Sequence, residues 1–172
     1  EHLYITDNYI VTHNTFLVNR LVSMYRLNGS KILCIAPTHQ AKYQMMEAMT
    51  DSKDIKFQTV ASFLGTKAEI DNITGKKVFI ENGVATIKDN FPERVIIVDE
   101  GSMLTKDQIK KISSYAKNKL VIFLGDFCQL PPVNGENNEE YFSKVISYTL
   151  NEQKRNSGNI LKLCDNLRNK VI

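Results

Sequence analysis

Two adjacent acids, Asp99 and Glu100, close the apolar run at residues 95–98. An acid pair at the end of a buried strand is the Walker B arrangement. In that arrangement Asp99 would hold Mg²⁺, usually through water, and Glu100 would polarise the water that attacks a γ-phosphate, although acids are also common at a solvated strand end. A second strand end carries a related set: residues 120–124 run into Gly125 and Asp126, and Gln129 follows within one turn, ahead of Leu130, Pro131 and Pro132. Gly125 would let the backbone come close to a ligand, and the two prolines stiffen the exit. At a third strand end, Thr38 reads as an N-cap, and free amides at a helix start can bind phosphate. His39 and Lys42 follow it, and His39 taken alone reads as an exposed polar residue beside a cap.

These residues need a sheet to bring them together. Apolar, β-branched runs at residues 31–36, 57–60, 95–98 and 120–124 suit strands buried on both faces of a parallel sheet. Helical stretches alternate with them, at residues 16–27 with Asn28 and Gly29 as a stop, at 38–50 and at 105–117. Alternation of this kind predicts an open α/β sheet, mainly parallel, that binds ligands at the carboxyl ends of its strands. One stretch departs from it. Residues 66–92 are polar, with turn signals at 72–75 and 81–83, and residues 77–80 and 84–87 flank the second turn as a β-hairpin.

The 172 residues suit one domain with a substantial core. Hydrophobic residues make up 42% and charged residues 24%, as in ordinary globular proteins. A net charge of +3 permits a nucleic-acid partner and argues little for one. Cys34, Cys128 and Cys164 are far apart, with no CxxC or Cys/His cluster, and read as reduced core thiols of a cytoplasmic protein. No apolar run reaches the length of a membrane span, and the first residues do not read as a signal peptide. The chain starts at Glu1, not Met, which predicts a fragment.

Taken in order, the motifs resemble those of RecD/Dda-type superfamily 1 DNA helicases. Asp99, Glu100, Ser102 and Met103 match the DE-x-S-M of motif II, and residues 125–132 match the G-D-x-x-Q-L-P-P of motif III. Residues 36–38 match the A-P-T of motif Ia, residues 59–64 a T-x-x-S-F/L motif, and residues 150–155 the L-x-x-x-x-R of motif IV. The resemblance implies a RecA-like P-loop NTPase motor domain over residues 15–172, with ATP and Mg²⁺ as cofactors. It implies single-stranded and forked DNA as partners, a second RecA-like domain to complete the motor, and 5′ to 3′ movement in a bacterial or phage-infected cytoplasm. By it, Gln129 senses the γ-phosphate, Asp126 links the nucleotide site to the DNA track, and Arg155 stabilises developing charge. Pro37, Thr38, His39 and Ser62 would contact the single strand. Residues 66–92 would form the pin that splits the duplex, with Phe79 stacked on the fork base pair, although a solvent-exposed hairpin with Phe79 against the sheet fits that stretch equally.

The beginning departs from the family. The P-loop pattern GxxxxGK[ST] is absent. Thr15 and the residues after it resemble the family from the Mg²⁺-binding threonine onward, but Asn14 stands at the place of the lysine and no glycine precedes it. Residues 1–14 instead resemble the carboxyl end of an intein inserted into the P-loop. Protein splicing would use Thr15 as acyl-accepting nucleophile, Asn14 as the amide that cyclises, and His13 for proton transfer. A divergent, inactive P-loop is the other reading. Either way, the chain itself is expected to lack ATPase activity. Two further classes stay open: a degenerate, non-catalytic DNA-binding remnant, and the downstream half of a splicing precursor.

Overall fold

The computed structural model describes residues 17–49, 52, 54–70, 77–81, 91–126, 132 and 138–148. Its centre is a four-stranded parallel sheet in the order β2-β1-β5-β6, made of β1 (Ile32–Ala36), β2 (Ile55–Thr59), β5 (Val95–Val98) and β6 (Leu120–Phe123). Side-chain alternation along the strands divides the core in two. Ile32, Cys34 and Ala36 of β1 and Val95 and Ile97 of β5 pack with Val18 and Val22 of α1 (residues 17–27) and Met45 of α2 (His39–Glu47). Leu33, Ile35, Ile96 and Val98 point the other way. They meet Val60, Phe63 and Leu64 of α3 (Val60–Leu64) and Ile109 and Ile112 of α4 (Lys106–Tyr115). Every residue of β1 and β5 is buried, as expected of strands covered on both faces.

Local chemistry sets the helix ends. Gly29, at φ 70°, ends α1 in the left-handed region, where the Gly29 and Ser30 amides donate to the Arg26 and Tyr25 carbonyls at 2.8 and 3.1 Å. Thr38 caps α2 through the Ala41 amide at 3.1 Å. Thr105 and Gln108 form a reciprocal capping box on α4. The amino-terminal edge of the sheet is strapped by Lys119. Its Nζ donates to the Phe91 and Glu93 carbonyls at 2.7 and 2.8 Å and lies 3.9 Å from the centre of the Phe91 ring.

Two expectations change. The run at 57–60 is not one strand: β2 starts earlier, at Ile55, and the chain turns helical at Val60. There the Thr59 hydroxyl accepts from the Ser62 amide at 3.1 Å and Gly65, at φ 64°, ends α3 after five residues. In the polar stretch, β4 (Lys77–Glu81) pairs antiparallel with β3 (Thr66–Ile70), a strand not anticipated. The turn signal at 72–75 and the suggested partner at 84–87 lie outside the described residues. No helix among the described residues is long and apolar enough to cross a membrane.

Candidate nucleotide-binding edge

Parallel register puts four strand ends on one edge. Ala36 pairs with Thr59, Ile35 with Val98, and Val98 with Phe123. The Asp99 amide continues the ladder to the Ile35 carbonyl at 2.9 Å, and the Leu124 amide continues it to Val98 at 2.8 Å. Pro37 and Thr38, Asp99 and Glu100, and Gly125 and Asp126 therefore leave the sheet side by side.

Asp99 is 8% exposed, and its Oδ1 has no hydrogen-bond partner among the described residues. Burial pushes its pKa up to about 6, against a smaller opposite pull from the Glu100 amide, which donates to the carboxylate. Its charge also adds to the burial that pushes the neighbouring Cys34 thiol up to about 12. A buried carboxylate oxygen with no partner suits a cation. The described residues contain no group of three or more His, Cys, Asp or Glu that could hold a metal. A magnesium ion here would therefore take Asp99 and complete its shell with water and phosphate oxygens, as that ion commonly does.

Glu100 is half-buried and left-handed, at φ 51° and ψ 41°. For a residue with a Cβ this backbone costs about 1–2 kcal/mol, so its surroundings must hold it there. Part of the hold comes from a 3₁₀ turn, Gly101–Met103, locked against the end of β6. The Gly101 amide donates to the Leu124 carbonyl at 2.6 Å. A Cβ at Gly125 would stand 2.8 Å from the Ser102 amide nitrogen, and one at Gly101 would stand 3.2 Å from the Leu124 carbonyl oxygen. Gly125 was expected to admit a ligand. The structure shows a close approach to the Gly101–Ser102 backbone, so this glycine serves packing between two loops.

The other hold was missed in the sequence. Asn138 is fully buried, and its amide nitrogen donates to the carbonyls of Gly101, Ser102 and Leu104 at 3.2, 3.4 and 2.5 Å. Nothing in a polar run such as residues 134–138 marks one asparagine as buried.

An open cleft of about 230 Å³ lies beside the acids, lined by Pro37, Thr38, Gln40, Ala41, Gln44, Glu100 and Met103. It joins the α2 start to Glu100. His39 is exposed and is not part of that lining. Ser62 is exposed in the first turns of α3, beyond the end of β2. Phe79 sits in β4 opposite Ala68, in the separate two-stranded sheet. His13, Asn14, Thr15, Gln129 and Arg155 lie outside the described residues. Of the four side chains expected to meet at a terminal phosphate, Asp99 and Glu100 thus stand on the edge, and the positions of the other two are not described.

A parallel sheet with helices on both faces and an acid pair at its carboxyl edge defines a RecA-like α/β domain. More specifically, the chain belongs to the AAA domain family, whose model matches residues 12–135. Among solved structures it is similar to a double mutant of the Pif1 helicase from Bacteroides, with a TM-score of 0.52 and 18% identity over 88% of this chain and 39% of that one. It is also similar to Bacteroides sp Pif1 in complex with ADP-AlF4, with a TM-score of 0.44 and 22% identity over 72% of this chain and 28% of that one. The chain spans well under half the length of the Pif1 chains it matches. No curated protein matches it.

Proposed function

We propose that the chain is the first motor domain of an ATP-dependent DNA helicase of superfamily 1, close to the RecD/Dda and Pif1 groups. The observation that carries this is the buried, unpartnered Asp99 oxygen beside Glu100 on the carboxyl edge of a parallel sheet. In this reading Asp99 would hold Mg²⁺, which would supply positive charge against the nucleotide phosphates. Glu100 polarises the attacking water from its left-handed position at the strand end. Asp126 leaves the neighbouring strand end, and Gln129 and Arg155 complete the phosphate contacts. Pro37, Thr38 and His39 at the α2 start, with Ser62 at the α3 start, form the track for single-stranded DNA. Phe79 on the β3–β4 hairpin meets the fork. Movement 5′ to 3′ and duplex unwinding require the second RecA-like domain, and the parent enzyme would work in the cytoplasm.

For residues 1–14 we propose the carboxyl end of an intein, because His13, Asn14 and Thr15 supply the three groups that the final splicing steps need. An insertion there would separate the P-loop lysine from Thr15, and the chain itself would not turn over ATP.

One experiment addresses both readings. Residues 1–14 are replaced by a glycine-rich loop ending in Gly-Lys directly before Thr15, and binding of a fluorescent Mg-ADP analogue is measured. Gain of binding, lost again on Asp99→Asn, is expected. A repaired chain with no nucleotide affinity would sink the motor reading, and ATP turnover by the unrepaired chain would sink the inactivity reading.

A further inference from the structure

We infer that Asn138 is a positioning residue for Glu100, a role that rests on the motor reading for its use but on geometry for its existence. Its amide nitrogen faces three carbonyls of one turn, those of Gly101, Ser102 and Leu104. This setting fixes which end of the amide is nitrogen, since an oxygen there would face three acceptors. The other end, Oδ1, is buried with no hydrogen-bond partner among the described residues. The fold thus buries the whole side chain for the sake of its donors.

Those donors act where the backbone needs restraint. Carbonyls at the end of a short turn have few partners within the turn itself. The turn begins directly after Glu100, and its own bonds are the Met103 amide to the Glu100 carbonyl at 3.0 Å and the Leu104 amide to the Gly101 carbonyl at 3.2 Å. From the β6 side, Gly125 leaves no room for a Cβ against the Ser102 nitrogen, and the Leu124 carbonyl receives the Gly101 amide. Asn138 holds the same turn from a point beyond the loop that follows β6. With both in place the turn cannot unwind, and Glu100 stays left-handed. Without Asn138 the carbonyls turn to water, and the strain at Glu100 relaxes toward ordinary extended or helical backbone.

The test uses the 172-residue chain and NMR of the Glu100 backbone, whose carbon shifts and amide coupling distinguish left-handed from other conformations. Asn138→Ala is expected to lose most of the left-handed signature at Glu100 while the β1 and β5 amides keep their shifts. Asn138→Asp, of equal size but without the donors, is expected to do the same. Adding Glu100→Gly to Asn138→Ala is expected to return the Gly101–Leu104 amide shifts to those of the single Glu100→Gly chain, because glycine adopts that backbone freely. A lowered melting temperature with Glu100 still left-handed in both Asn138 variants would make Asn138 a structural stitch only and overturn the inference. Should Asn138→Ala fail to fold, Asn138→Asp carries the same readout at Glu100. None of these measurements involves nucleotide, so failure of Mg-nucleotide binding bears on the motor reading alone.

Discussion

Replacing Asp99 by Asn should make the domain more stable while removing the carboxylate proposed to hold a metal. The carboxylate is buried, one oxygen lacks a partner, and its pKa stands at about 6 in the folded protein against an ordinary 3.8. Folding therefore favours the protonated acid. The folded state is fully favoured below the unfolded value, loses ground as pH rises, and carries the whole penalty above about pH 6. A rise of that size corresponds to about 3 kcal/mol at 1.36 kcal/mol per pKa unit. Asparagine has the same shape and no charge, so Asp99→Asn should recover up to about 3 kcal/mol at pH 8, equivalent to roughly 6–12 °C in melting temperature for a domain of this size. The recovery should fall to about 1 kcal/mol at pH 4.5, where the native acid is mostly protonated. Urea unfolding of both proteins at the two pH values measures it directly. An equal difference at both values, or an Asp99→Asn chain less stable at pH 8, would refute the account of Asp99 as a charge held out of water for a ligand.

Gly125→Ala should cost about 1–3 kcal/mol, the usual penalty of overpacking, because its Cβ would meet a backbone nitrogen at 2.8 Å. Gly101→Ala, whose nearest contact is 3.2 Å, should cost less, and denaturant midpoints that rank the two in the other order would contradict the interlock. Thr105→Ala removes the hydroxyl half of the α4 capping box and should cost about 1 kcal/mol, seen as earlier thermal unfolding; no change would mean that Gln108 alone suffices.

The sheet was legible where its chemistry is local. Residues 95–98 are apolar without interruption, and the strand occupies those four positions. The helical stretch expected at residues 105–117 holds α4, with Thr105 as its cap. The acid pair was legible for the same reason, since a buried strand followed by two charges leaves few other placements. Legibility failed where a local signal pointed to two structures. Val60 looks like strand by its branching, yet the Thr59 cap and Gly65 enclose it in a helix. Residues 66–70 are too polar to advertise a strand and become one by pairing with β4. Tertiary effects left no trace at all. The value of Gly125 depends on a peptide more than twenty positions away, and Asn138 counts through three carbonyls at sequence distances of 34 to 37.

Gly101 and Gly125 act as a meshed pair of teeth. Neither can gain a side chain without pushing the other's peptide, and backbone atoms have no rotamers with which to yield. A displacement of the loop after β6 is thus handed to the turn behind Glu100 with no slack in between. The main chains of the two loops meet directly, beside the side-chain hold that Asn138 adds to the same turn.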